Sequence, residues 1–191
     1  MKMSKKICIR FGGFGGQGII TASIVLGYAA VIYEGKDAVQ TQSFGQQARG
    51  GECKSEIIIS DTTINYYTME QADVQVIMSR LALERYLNDL RPGGCLIIDS
   101  DMIANKPKRK GIEIVEIPAT STATRMGKKL VVNMVMLGAL IEKTEVVAEE
   151  SLQKAIRDLF PAVAEINIKA AEEGRKLIGL RGGGKNANLH K

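Results

Sequence analysis

The short apolar run Ile7-Cys-Ile-Arg-Phe11, bounded by lysines before it and glycines after it, is strand-like and predicts a first strand over residues 6–12. A glycine-rich turn follows, then a helix over 16–33 that is apolar almost all round and so buried on most faces. Residues 38–42 show polar alternation. The run 56–60 reads as a third strand, with 64–67 expected to pair with it across the Ser60-Asp-Thr-Thr turn. Asp73-Val-Gln-Val-Ile-Met-Ser79 has the unbroken apolar character of a parallel core strand. Leu83, Tyr86, Leu87 and Leu90 then recur at helical spacing over 80–90, and Arg91-Pro-Gly-Gly94 ends that helix. Cys95-Leu-Ile-Ile-Asp99 is the next core strand, and 112–117 is another, closed by Pro118.

The remainder is helical. Leu130, Met134, Leu137 and Ile141 mark one apolar face, and Leu152, Ala155, Ile156 and Leu159 a second. Pro161 opens a last helix carrying Ile166, Ala170 and Leu177. Strands alternating with helices predict an α/β fold, a three-layer α/β/α sandwich on a mostly parallel, Rossmann-like sheet. One domain is expected over 1–180, with a flexible, glycine-rich tail over 181–191.

Composition narrows the chemistry. The 191 residues include 45% hydrophobic and 5% aromatic positions and no Trp, so the core is aliphatic. The basic start runs directly into a strand without an apolar segment and cleavage site, which argues against export and for the cytoplasm. The longest uncharged stretch, 11–33, begins in glycines, and its helical part is shorter than the roughly 20 residues of a membrane span. Cys8, Cys53 and Cys95 are far apart, and one iron–sulfur cluster takes four thiolates as a rule, so this chain alone does not hold one. Cys8 and Cys95 fall inside strand patterns and are expected in the core. The single histidine, His190, stands one residue from the end, which removes His-based triads and metal sites. The net charge of +5 concentrates in Lys106-Pro-Lys-Arg-Lys110 and beyond Arg175. Few aromatics interleave with it, so it reads as solvated loop and tail, or a surface for phosphates or an acidic protein, not as a nucleic-acid site.

Two glycine blocks carry candidate chemistry. Gly13, Gly15 and Gly18 satisfy GxGxxG between a strand and a helix, with Gly12 and Gly16 beside them. Such a turn lets a ligand approach the backbone at a helix N-terminus, where free N–H groups favour phosphate; the alternative is a tight packing turn without a ligand. A dinucleotide site also wants an acidic residue closing the second strand, whereas this strand ends in uncharged polar residues. The second block, Gln42-Ser-Phe-Gly-Gln-Gln-Ala-Arg-Gly-Gly-Glu52, supplies amides and one arginine suited to phosphate or carboxylate, or else a structured turn into the next strand.

Gly13-Phe-Gly-Gly-Gln-Gly18 resembles the GxGGQG opening of gamma subunits of 2-oxoacid:ferredoxin oxidoreductases. Gln42-Ser-Phe-Gly-Gln-Gln-Ala-Arg-Gly-Gly51 with Ser55-Glu-Ile-Ile-Ile-Ser60 is similar to that family's second block, with Gln46-Gln47 where Pro-Glu is usual. Segments 73–79, 90–100, 133–140 and 160–167 follow in the family's order, so the resemblance covers 6 to about 180. It implies a share in a complex that oxidatively decarboxylates a 2-oxoacid to an acyl-CoA and reduces ferredoxin. Thiamine diphosphate and iron–sulfur clusters would sit on partner alpha, beta and delta (ferredoxin-like) subunits, and this subunit would contribute to coenzyme A binding and assembly. By that resemblance Gly13, Gly15, Gly16, Gln17 and Gly18 face the coenzyme A diphosphate. Ser43, Gly45, Arg49 and Gly51 line the adjoining loop, and no catalytic or metal-ligating residue is assigned. The wording Val39-Gln-Thr-Gln-Ser-Phe-Gly45 leans to the 2-oxoglutarate branch, with pyruvate, branched-chain and indolepyruvate branches as alternatives. A free-standing NAD- or FAD-binding protein, a scaffold whose glycine loops serve subunit contacts, and a homodimer of the isolated chain stay open.

Overall fold

The computed structural model describes residues 6–44 and 52–181. Six strands form one mixed sheet in the order β2-β3-β1-β4-β5-β6. They are β1 (Lys6–Phe14), β2 (Asp37–Phe44), β3 (Glu52–Ser60), β4 (Ala72–Ile77), β5 (Leu90–Asp99) and β6 (Glu113–Ile117). β1, β4, β5 and β6 pair in parallel, while β3 runs antiparallel to both β1 and β2. The expected α/β architecture is present, and β3 is the one strand that runs against the rest.

The two faces of the sheet are covered unequally. On one lie α1 (Ile19–Tyr28, continued by a π-helical turn Ala29–Tyr33), α3 (Ala119–Arg125), α4 (Val132–Thr144), α5 (Glu149–Leu159) and α6 (Ala164–Arg181). Ile9, Phe11, Ile57, Ile59, Val74, Val76, Cys95 and Ile97 point from the strands into that main core. The opposite face carries only α2 (Arg80–Tyr86) and its following 3-10 turn, over a smaller cluster of Ile77, Leu83, Tyr86, Leu96, Ile98 and Ile103. The third layer is therefore thin. α4 is buried on nearly every side, and α6 packs against it at backbone range: a Cβ at Gly138 would sit 2.6 Å from the Ala171 carbonyl carbon.

Several expectations are corrected here. Residues 64–67 are not a strand. The Ile64 N–H is taken by the Asp37 side chain at 2.8 Å, the turn before it closes on the Ser60 hydroxyl, and Tyr66 and Tyr67 are exposed. β5 begins at Leu90, so Arg91-Pro-Gly-Gly94 belongs to a strand and does not merely end a helix. Leu130 is 84% exposed and lies outside the apolar face assigned to it, on a 3-10 turn before α4. Cys95 is buried as expected, while Cys8 is only half-buried. In the basic loop, Arg109 donates to the carbonyls of Leu87 and Leu90, and Lys106 pairs with Glu116 at 3.2 Å, so part of that charge braces the thin layer. No helix among the described residues is long and apolar enough to cross a membrane. α6 runs to Arg181, and the predicted tail beyond it lies outside the described residues.

Candidate functional site

The parallel strands deliver their carboxyl ends to one edge of the sheet. From β1 the chain passes through α1 to β2 and β3 on one side, while β4, β5 and β6 lie on the other. The order reverses between β1 and β4, the place where open α/β sheets take their ligands. Six of the nine sequence-predicted site residues, Gly13, Gly15, Gly16, Gln17, Gly18 and Ser43, can be located at this edge; Gly45, Arg49 and Gly51 lie outside the described residues.

β1 continues through Gly13 and Phe14 before it turns. A Cβ at Gly13 would stand 2.7 Å from Ile19 Cδ1, so this glycine lets the first turn of α1 close over the strand. Gly16 and Gly18 hold φ of 99° and 73°, the left-handed region that side chains disfavour. Gly15 and Gly16 are exposed, and the Cβ direction at Gly16 is open space. Gly18 caps α1 without a side chain, leaving the first N–H groups of the helix facing the turn. The result is bare backbone at the positive end of a helix dipole, which suits a phosphate.

Gln17 is placed differently from what its resemblance-based role suggests. Its Oε1 accepts from the Phe14 N–H at 2.7 Å, and its Nε2 donates to the Met78 carbonyl at 3.0 Å. The side chain thus staples the turn to the end of β4 and has its amide committed to the backbone. Two residues absent from the predicted set complete this staple. Asn133, 4% exposed, donates Nδ2 to the Gly18 carbonyl at 3.2 Å. Ser79 caps α2 by accepting from the Ala82 N–H at 3.2 Å, while Met78 N–H bonds the Gly12 carbonyl at 2.8 Å. A serine just ahead of a helical run is a capping signal legible in sequence; the Asn133 contact joins positions 115 residues apart and leaves no local trace.

The flanks of the second block arrive at the same edge. Phe44 stands opposite Cys53, and Glu52 opposite Phe14, so both chain ends of 45–51 attach beside the glycine turn. Ser43 is exposed on β2. Glu52 is braced from α2: Arg85 pairs with it at 2.8 Å and the Tyr86 hydroxyl donates to it. Burial, then that carboxylate, pushes the Tyr86 phenol well above its usual range. The ring lies under three cations, Arg10, Lys54 and Arg85, at 5.2, 5.7 and 6.0 Å. Arg10 is 3% exposed and pairs with Glu56 at 2.6 Å and with Asp89. Further along the edge Asp99 is fully buried and accepts from Ala119 N–H at 3.2 Å and Thr120 Oγ1 at 2.5 Å, capping α3 from a distance. Burial raises its pKa, and the Thr120 hydroxyl works against that rise.

A cleft of about 660 Å³ opens at the opposite end of the molecule, lined by Glu34, Glu142, Glu149 and Arg175. Arg175 bridges Glu142 and Glu149 there, which ties α6 to α4 and α5. Among the described residues no group of three or more His, Cys, Asp or Glu side chains could hold a metal, and the cysteines stand apart on β1, β3 and β5. A four-thiolate cluster does not fit this chain, whereas the glycine turn fits a phosphate group.

A family model described as pyruvate ferredoxin/flavodoxin oxidoreductase matches residues 8–177. Over 177 residues the chain is 45% identical to the 2-oxoglutarate synthase subunit KorC of Methanothermobacter thermautotrophicus, covering 89% of this chain and 94% of that one. The pyruvate/ketoisovalerate oxidoreductases common subunit gamma of Thermococcus kodakarensis is 34% identical over 173 residues, covering 86% of this chain and 93% of its own. The keto/oxoacid ferredoxin oxidoreductase gamma subunit of Geobacter sulfurreducens PCA superposes with a TM-score of 0.81 at 38% identity, over 91% of this chain and 99% of that structure. A 2-oxoglutarate:ferredoxin oxidoreductase from Magnetococcus marinus, solved with 2-oxoglutarate, coenzyme A and succinyl-CoA bound, shares the fold over 95% of this chain and 32% of its own, with a TM-score of 0.87 at 24% identity. Matched across nearly its whole length in both sequence and fold, the chain belongs to the pyruvate ferredoxin/flavodoxin oxidoreductase family, as a gamma-type subunit of a 2-oxoacid:ferredoxin oxidoreductase.

Proposed function

We propose that this subunit serves a 2-oxoglutarate:ferredoxin oxidoreductase and contributes the phosphate-binding part of its coenzyme A site. The carrying observation is the exposed, side-chain-free backbone of Gly15 and Gly16 ahead of α1, with both flanks of 45–51 attached beside it. Gly15, Gly16 and Gly18 would donate backbone N–H groups to the diphosphate, while Gly13, buried in β1, lets α1 close behind them. Gln17 and Asn133 hold the turn in shape, and Ser43, Gly45, Arg49 and Gly51 would line the adjoining wall. The chemistry of decarboxylation and electron transfer would fall to thiamine diphosphate and iron–sulfur clusters on alpha, beta and delta partners: one cluster takes four thiolates as a rule, and the three cysteines of this chain stand apart on β1, β3 and β5. Ferredoxin then takes the electrons, and the cytoplasm is the compartment that fits reduced thiols. The lean to 2-oxoglutarate rests on the 45% identity to a 2-oxoglutarate synthase subunit against 34% to a pyruvate/ketoisovalerate one. That second relative keeps pyruvate and branched-chain acids as the alternative.

The test is reconstitution with the partner subunits. Ferredoxin reduction is measured with 2-oxoglutarate, pyruvate, 2-oxoisovalerate and indolepyruvate, each at varied coenzyme A. Turnover is expected with 2-oxoglutarate, and Gly15→Val and Arg49→Ala are expected to raise KM for coenzyme A roughly tenfold or more, the loss of about one charge-assisted contact. Calorimetric affinity for coenzyme A unchanged in both variants would remove this chain from the site. Turnover confined to pyruvate would move it to the other branch.

A further inference from the structure

The sheet ends in β6 on one side and in β2 on the other, and the two edges are guarded differently. β6 is five residues long and carries Glu113 and Glu116, paired with Lys143 and Lys106. Short length and charge are the usual protection of an edge strand. β2 is eight residues long, and Ala38-Val-Gln-Thr-Gln-Ser43 contains no charge and no proline. Its register against β3 runs from Asp37 to Phe44 without a bulge, and none of residues 37–43 is buried. Among the described residues no strand pairs with its outer edge. An edge so long and so neutral templates the addition of another strand.

Apolar surface lies alongside. Gly27 of α1 faces β3, where a Cβ would stand 3.0 Å from Ile57 Cδ1. Ile20, Ile24 and Val31 share that helical face by their spacing from Gly27, and Ile24 and Val31 are 43% and 42% exposed.

We propose that β2 is the docking site for a second copy of this chain, pairing antiparallel with its own copy about a two-fold axis normal to the sheet. Under such an axis paired residues share a face, so positions of equal parity meet. Centred on Gln40, the pairing sets Gln40 against Gln40, Val39 against Thr41, Ala38 against Gln42 and Asp37 against Ser43. The Gln40 amide gives one N–H to Ser55 Oγ at 2.9 Å within its own subunit, and its second N–H and its oxygen, a donor and an acceptor, complement its own copy. No like charges meet, which a self-pairing strand requires and this one satisfies on both faces. The net charge of +5 lies outside the strand, and Ile24 and Val31 are carried to the same seam. Closed two-fold pairs are the commonest homo-oligomers, and self-complementarity favours this occupant over an unrelated strand.

Light scattering on the full chain without partners tests this, using wild type, Gln40→Lys, Gln40→Glu and an equal mixture of the two variants. The wild type is expected at twice the 20.7 kDa chain mass. Each variant is expected at half the wild-type mass with an unchanged circular dichroism spectrum, and the mixture is expected to return to the wild-type mass as Lys meets Glu. Ile24→Gln, which leaves the strand intact, is expected to raise the dimer dissociation constant roughly tenfold, the loss of most of one exposed apolar contact. A monomeric wild type, or a dimer that survives in both Gln40 variants, overturns the proposal. So does a chain that is monomeric alone and gains hydrogen-exchange protection of β2 only with the other subunits, which would assign the edge to a partner's strand. Coenzyme A affinity plays no part in these outcomes.

Discussion

Gly18 answers to two constraints at once. Its φ of 73° costs an L side chain about 1–2 kcal/mol, and a Cβ there would lie 2.7 Å from Asn133 Cγ. Gly18→Ala is therefore expected to lower urea-unfolding stability by more than the backbone cost alone. Asn133→Ala by itself loses the bond to the Gly18 carbonyl, worth about 1 kcal/mol. Combined, the two substitutions are expected to cost less than their sum, because removing Asn133 relieves the clash; simple additivity would show that the contact is loose. The glycine spacing made this turn legible in sequence. The commitment of Gln17 was not, since its partners are Phe14 at the end of β1 and Met78 just past the end of β4, 61 residues away. A second local effect reads out directly. The bond from the Tyr33 hydroxyl to Asp158, then burial, pushes the Tyr33 phenol up to about 12. A raised folded-state value means the contribution is complete below the ordinary tyrosine range near ~10 and is lost as pH climbs through the folded value. The Tyr28 hydroxyl donates to the same carboxylate at 3.3 Å, so ultraviolet titration of Asp158→Asn is expected to show two tyrosines, Tyr33 and Tyr28, ionising at lower pH than in the parent.

At the scale of elements, the tightest joint is α4 against α6. A Cβ at Gly138 meets the Ala171 carbonyl carbon at 2.6 Å and one at Gly174 meets that of Val135 at 2.8 Å, so the helices touch through backbone. Gly138→Ala must push them apart and is expected to cost about 1–3 kcal/mol in thermal or urea unfolding. Gly179 lies on the same α6 with nothing within 4 Å of its Cβ direction, and Gly179→Ala is expected to be neutral or to gain up to about 1 kcal/mol. Equal effects at the two sites would refute the close approach. Periodicity found β1, β4, β5 and the long helices because each buries one consistent face. It placed α3 within a helical remainder but gave it no bounds or face, because Ala119-Thr-Ser-Thr-Ala-Thr-Arg125 has little apolar stripe and is capped by Asp99 from another strand. It could not orient β3 either, because strand direction depends on a connection through 45–51 and not on the alternation within the strand.

Across the whole molecule the unequal covering of the sheet should govern how it opens. Local composition shows part of this asymmetry, since α2 carries Arg80, Glu84 and Arg85 in seven residues while α4 is nearly all apolar; what is stacked behind each depends on distant segments. The three cysteines report it. Cys95 is fully buried under the thick layer, and burial pushes its thiol up to about 12. Cys53 is 5% exposed and faces the same core. Cys8 pairs with Ile58 on the face of α2 and is half-buried, its thiol also raised by burial. Thiolate, not thiol, attacks a disulfide reagent, so rates at neutral pH depend on exposure and on opening. Elements with few buried contacts open locally at lower free energy than the core does. With Ellman's reagent one thiol, Cys8, is expected to react in the native protein, and Cys53 and Cys95 only at the rate of global unfolding. Low urea should then accelerate Cys53 and Cys95 steeply and Cys8 weakly, because global unfolding exposes far more surface than lifting α2. If Cys53 labels as fast as Cys8, the main core opens as readily as the thin layer, and the two faces of the sheet are equally stable despite their unequal cover.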